Sequence, residues 1–135
     1  MSEHKENLIK YRLEDSKEKL ESARILIRNK KYKDSVSRSY YAMFSAARAL
    51  LATQGLNSIK HSGIISLFNH HFVKEKIVDL SCGKVLASAK DAREESDYGD
   101  FIIVTCEEAE SQIKDAHFFI EEIEKALGKI WGETE

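Results

Sequence analysis

The chain has 135 residues, 33% of them charged, a formal net charge of −2 and no proline. That length buries roughly two-thirds of the unfolded surface without staples, so one domain over residues 1–135 is expected, and the near-neutral charge means that any nucleic acid must be held by a local basic patch. No apolar run approaches the ~20 residues needed to span a bilayer, and the start MSEHKEN has no signal-peptide apolar region, which predicts no membrane association and a cytoplasmic protein.

Average usage of ~5% would give about seven prolines. Their absence, with only six glycines, predicts long uninterrupted helices. The first runs from about Glu6 to Asn29, with Leu13, Leu20, Ala23 and Ile27 as its apolar stripe. The second covers about Tyr32 to Thr53, and Gly55 stops it. A loop over Leu56–Lys60 leads to a short third helix that begins near His61 or Ser62 and contains Ile64, Ile65, Leu67, Phe68 and Phe72. The fourth spans about Val78 to Glu95, with Val78, Cys82, Val85, Ala89 and Ala92 in register, and is broken by Asp97-Tyr98-Gly99-Asp100.

The fifth helix has the strongest local signal. Thr105 followed by Glu108 forms a capping-box pattern, and Ala109, Ile113, Ala116, Ile120, Ile123, Leu127 and Ile130 then recur at steps of four and three. Four long helices with short connections predict an all-α, antiparallel up-and-down four-helix bundle, with the additional short helix between helices 2 and 4. No repeat, linker or low-complexity tract breaks the chain.

Helix 2 carries an anomaly. Across Ser37–Leu51 and the preceding Val36, the apolar Val36, Tyr40, Met43, Phe44, Ala47, Leu50 and Leu51 share a pattern with Arg38, Tyr41 and Arg48. A guanidinium near a core is paired or faces a cleft. Cys82 and Cys106 lie singly and read as ordinary helix residues of a reducing compartment; no metal site or cofactor is expected. His70 and His71 are adjacent and therefore diverge on a helix, His117 reads as an edge-of-core residue, and His4 belongs to the N-terminal tail. Lys60-His61-Ser62-Gly63 stands at a helix start, where it either holds a phosphate or, more simply, supplies Ser62 as a cap. Arg28-Asn29-Lys30-Lys31-Tyr32-Lys33 reads first as a solvated basic turn and secondly as a nucleic-acid contact.

The blocks Arg38-Ser39-Tyr40-Tyr41-Ala42-Met43-Phe44, Ala46-Ala47-Arg48-Ala49-Leu50-Leu51, His61-Ser62-Gly63, Leu67-Phe68 with His71-Phe72-Val73, and Arg93 with Asp97-Tyr98-Gly99-Asp100 resemble, in order and spacing, small prokaryotic HEPN-domain proteins. The resemblance covers the chain from about Tyr11 onward. It implies a helical bundle, usually a homodimer, often encoded beside a minimal nucleotidyltransferase, in a family that includes metal-independent ribonucleases, some acting as toxins. Active members carry an arginine followed after four to six residues by a histidine. None of the six arginines here, at 12, 24, 28, 38, 48 and 93, has one at that distance; Asp97 and Tyr98 occupy the place after Arg93.

Two main readings follow. In the first the chain is a nucleotide- or RNA-binding interaction module working with a nucleotidyltransferase partner, in a two-gene setting of which a toxin–antitoxin pair is one form, with ligand contacts from Arg38, Tyr41, Arg48, Lys60, His61, Ser62, Arg93 and Tyr98. In the second it is a metal-independent ribonuclease with a degenerate site, whose candidate catalytic residues are Arg93, Asp97, Tyr98 and His61. A helical scaffold, with the arginines as internal ion pairs, is a third.

Overall fold

The computed structural model describes residues 2–134 and contains five α-helices: α1 (Glu3–Arg28), α2 (Tyr32–Ala52), α3 (His61–Phe68), α4 (Ser81–Tyr98) and α5 (Cys106–Thr134). A π-helical turn, Asn69–Val73, extends α3. Four long helices form the bundle, and the α3 unit fills the α2–α4 connection.

The α1–α2 turn is tight because Lys30 takes a left-handed conformation (φ 60°) and the Lys31 N–H closes onto the Leu26 carbonyl at 2.9 Å. That reversal makes the two helices antiparallel neighbours. Helix α2 is the central element, packed against α1, α3, α4 and α5. Fourteen of its 21 residues are buried, which is why its apolar pattern runs almost all round. Gly55 ends the helix region at φ 66°, the stop its position implies.

Tyr40, Met43, Leu50, Leu51, Ile64, Phe68, Phe72, Phe119, Ile123 and Leu127 are fully buried in one core. The Phe68 and Phe119 rings lie 5.4 Å apart and join α3 to α5. The capping box closes α5 as expected: Thr105 Oγ1 accepts from Glu108 N at 3.1 Å, and Glu108 Oε2 accepts from Thr105 N at 3.4 Å.

Helix α4 departs from the sequence expectation at both ends. It starts at Ser81 rather than Val78 and continues through Asp97 to Tyr98. Its buried face is Cys82, Leu86, Ala89, Arg93 and Ser96, while Val85 and Ala92 are only half-buried. The helix stops at Gly99, where a Cβ would meet the Glu95 carbonyl oxygen at 2.6 Å and collide with the Ile102 side chain. The late stop matters for function because it leaves Arg93 and Asp97 one turn apart on the same helix.

Candidate functional site

The site is built where α2, the start of α3 and the end of α4 meet. Tyr40, Tyr41 and Phe44 project from α2, with Tyr40 wholly buried. Helical spacing places Tyr40 and Phe44 one turn apart, and their rings lie 5.8 Å from each other. His61, the first residue of α3, stacks on Phe44 with ring centroids 4.3 Å apart and an interplanar angle of 28°. Tyr41 meets the same imidazole edge-on at 5.9 Å, and the Tyr40 hydroxyl lies 3.3 Å from His61 Nδ1.

Arg93 enters from α4. Its guanidinium carbon sits 5.2 Å from the Tyr40 ring centre and 5.6 Å from that of Tyr41, a geometry that favours a cation over two π faces. Only 8% of the residue is exposed. Its acidic partners are distant for so enclosed a charge: Nη1 donates to Asp97 Oδ2 at 3.4 Å, and Nη2 stands 3.9 Å from Glu94 Oε1. Glu94 is itself held by Lys90 at 3.1 Å. The buried Nε of Arg93 has no hydrogen-bond partner. A planar fork with five donors thus has an unpartnered Nε, a long bond to Asp97 and the Tyr98 hydroxyl beside it, a state that a bidentate anion would complete.

Electrostatics set the protonation states. Burial, and then the charges of Arg93, Lys90 and Arg48, lower the His61 pKa, so the imidazole is neutral at pH 7. Burial pushes the Tyr40 phenol up to about 12, against the pull of Arg93. Burial works against the charge on Arg93, but Tyr41, Tyr98, Tyr40 and Asp97 outweigh it and hold the pKa above its ordinary value. The group remains a cation.

The structure therefore gathers Tyr41, His61, Arg93, Asp97 and Tyr98 in one region, with the Arg48 charge felt at His61. Arg48 is half-buried, and its carbonyl accepts from Arg12 Nη1 at 3.1 Å. Arg38, Lys60 and Ser62 are exposed, and among the described residues none of their side chains forms a hydrogen bond or ion pair. Lys60, not Ser62, occupies the cap position of α3, and it makes no side-chain capping bond. His117 is more exposed than an edge-of-core position, bonding to Glu121 at 2.6 Å and lying 3.4 Å from Arg24.

Phe44 and Lys90 are the members that sequence reasoning missed. Phe44 reads as core from its periodicity, and only its place one turn after Tyr40 hints at a second role. Among the described residues no group of three or more His, Cys, Asp or Glu side chains is arranged to hold a metal ion, and no helix is long and apolar enough to cross a membrane.

Comparison with known proteins adds a family and several relatives. The HEPN-domain family model matches residues 9–126. "Putative toxin MJ0605" of Methanocaldococcus jannaschii is 42% identical over 118 residues, covering 87% of each chain. A "UPF0332 protein" of Thermotoga maritima is 35% identical over 123 residues, covering 91% of this chain and 93% of that one. "Putative toxin MJ0142" of Methanocaldococcus jannaschii is 33% identical over 115 residues, or 85% and 78% of the two chains.

Proposed function

The chain belongs to the HEPN-domain family, and on that premise we propose that it is a nucleotide- or RNA-binding interaction module that works with a nucleotidyltransferase partner. The observation that carries this reading is the Arg93 guanidinium: enclosed, stacked over Tyr40 and Tyr41, and short of hydrogen-bond acceptors. A phosphate would supply two acceptors in the plane of the fork, and the exposed ring of Tyr98 would offer a base a stacking face. The toxin names of two relatives support a two-gene toxin–antitoxin setting for the chain. A homodimer belongs to the same proposal, with the exposed Leu80 just before α4 as one apolar residue that it would cover.

His61 favours a second reading, a metal-independent ribonuclease. A neutral imidazole close to the Arg93 charge has the properties of a base that takes the proton of a 2′-hydroxyl. The freed oxygen would attack the adjacent phosphorus, arginine would stabilise the phosphorane charge, and the bond to the 5′ oxygen would break as that oxygen takes a proton from water, the imidazolium then losing its own to solvent. Asp97, an anion beside the arginine, opposes an incoming phosphate and weighs against this reading.

Chelator-treated protein incubated with total RNA and tRNA separates the two. Binding without cleavage, lost in Arg93→Ala, is the expected result. Cleavage that disappears in both Arg93→Ala and His61→Ala would establish the ribonuclease, and absence of both binding and cleavage would leave the arginines as internal ion pairs.

A further inference from the structure

A second surface lies between the α1–α2 turn and the loop that joins α4 to α5. Lys30, Lys31 and Lys33 line one side of an open groove of about 440 Å³, and Ile102, Ile103 and Val104 line the other. All three lysines are exposed, and none forms an ion pair among the described residues. Tyr32 and Asp34 complete the lining, so three cations face one carboxylate.

The loop wall has the properties of an unpaired strand. Exposure alternates along it: Ile102 and Val104 are half-buried, whereas Ile103 between them is 83% exposed. The inward pair is pinned over a smaller cavity, shared with Val36 and Ala92. Backbone hydrogen bonding stops at Gly99 N, which donates to Glu95 O, and resumes at Thr105. Among the described residues, Ile103 and Val104 have no hydrogen-bond partner at either their N–H or their C=O. The preceding Phe101 is fully exposed and left-handed at φ 60°, a conformation bulky residues rarely adopt. A free backbone edge, an apolar side chain facing out and a row of unpaired lysines opposite specify an occupant.

We propose that the groove between Lys30–Lys33 and Ile102–Val104 binds an extended acidic peptide, which adds as a strand along Ile103–Val104 and places its carboxylates against the lysines. Main-chain pairing gives such a contact its affinity, and the lysines select acidic side chains at alternate positions. RNA fits less well, because the groove offers half-buried Tyr32 as its one aromatic ring, whereas its free amide and carbonyl edge suits a polypeptide. The groove shares no lining residue with the arginine cluster.

The test is NMR of the 15N-labelled full chain titrated with an acetylated, amidated peptide alternating glutamate and valine over about six residues, a usual strand length. The expected result is saturable shifts at the amides of Lys31, Lys33, Ile103 and Val104, with hydrogen exchange slowed at the last two. Methylating the peptide's alternate backbone nitrogens should abolish binding, and Lys31→Glu/Lys33→Glu should weaken it about tenfold. Absence of shifts, equal binding by the methylated peptide, or shifts at these amides only with oligouridylate would overturn the proposal. Shifts that track protein concentration without peptide would assign the groove to a second copy of the chain and overturn it as well.

Discussion

The guanidinium carbon of Arg93 lies 5.2 Å from the centre of the Tyr40 ring, while Tyr40 itself has no exposed surface. A charge from α4 is thereby fixed against the core of α2, and its spare donors are held in one orientation. Position and under-satisfaction together make it the anchor of the candidate site.

Replacing Arg93 separates planar recognition from charge alone. Arg93→Ala is expected to reduce oligouridylate affinity by about tenfold or more, and Arg93→Lys to recover only part of the loss, because an ammonium keeps the charge but not the fork. Fluorescence anisotropy reads both. Wild-type affinity in Arg93→Lys would show that a point charge suffices.

Tyr98→His places a histidine four residues beyond Arg93, counting those between, and so restores the spacing of active HEPN ribonucleases. Wild-type protein is expected to leave RNA intact and the variant to cleave it in the presence of chelator. Gel analysis of labelled RNA decides. An inert variant would mean that the region lacks more than a histidine.

His61 gives stability a pH dependence of known sign. Its folded-state pKa lies below the reference 6.5, so the unfolded chain binds the proton more readily. This contribution is fully present above 6.5, and it is lost as pH falls from there through the lowered folded value. Urea denaturation across that window should show a steeper acid decline in wild type than in His61→Gln, and parallel curves would contradict the assignment.

The capping box can be tested without touching the site. Thr105→Ala removes the acceptor for Glu108 N and is expected to cost about 1 kcal/mol in urea denaturation. Oligouridylate affinity should be unchanged.

The two thiols should differ sharply in reactivity. Cys82 has no exposed surface, and burial, reinforced by Glu122 and Asp79, pushes its thiol up to about 12. Cys106 is half-buried at the start of α5, with Sγ 3.4 Å from Glu110 Oε1. Ellman's reagent should label one thiol in the native protein and the second only on unfolding.

Much of the bundle is legible in the sequence, because long helices leave strong local records. The start of α5 is written in Thr105 and Glu108, and its buried seam in the spacing from Ala109 to Leu127. The end of α4 is harder to read. Asp97-Tyr98-Gly99-Asp100 has turn composition, yet only Gly99 must leave the helix, since a side chain there would strike Glu95 and Ile102. The rotated face of α4 follows from packing too: Leu86 and Arg93 are buried where Val85 and Ala92 scan as better core.

By itself the sequence determined the helical class, the number and order of the helices and the family pattern, since each depends on residues close together in the chain. Tertiary structure alone decided which polar residues share a site. His61 and Arg93 come from separate helices, and both meet Tyr40 and Tyr41 only because α3 and α4 cross α2 at the same level. Arg38 belongs to the same sequence block as those tyrosines, but its own position on the turn of α2 faces it to water. Periodicity records which side of a helix is dry; it carries no record of which neighbour arrives there, or of how many hydrogen bonds a buried guanidinium finds.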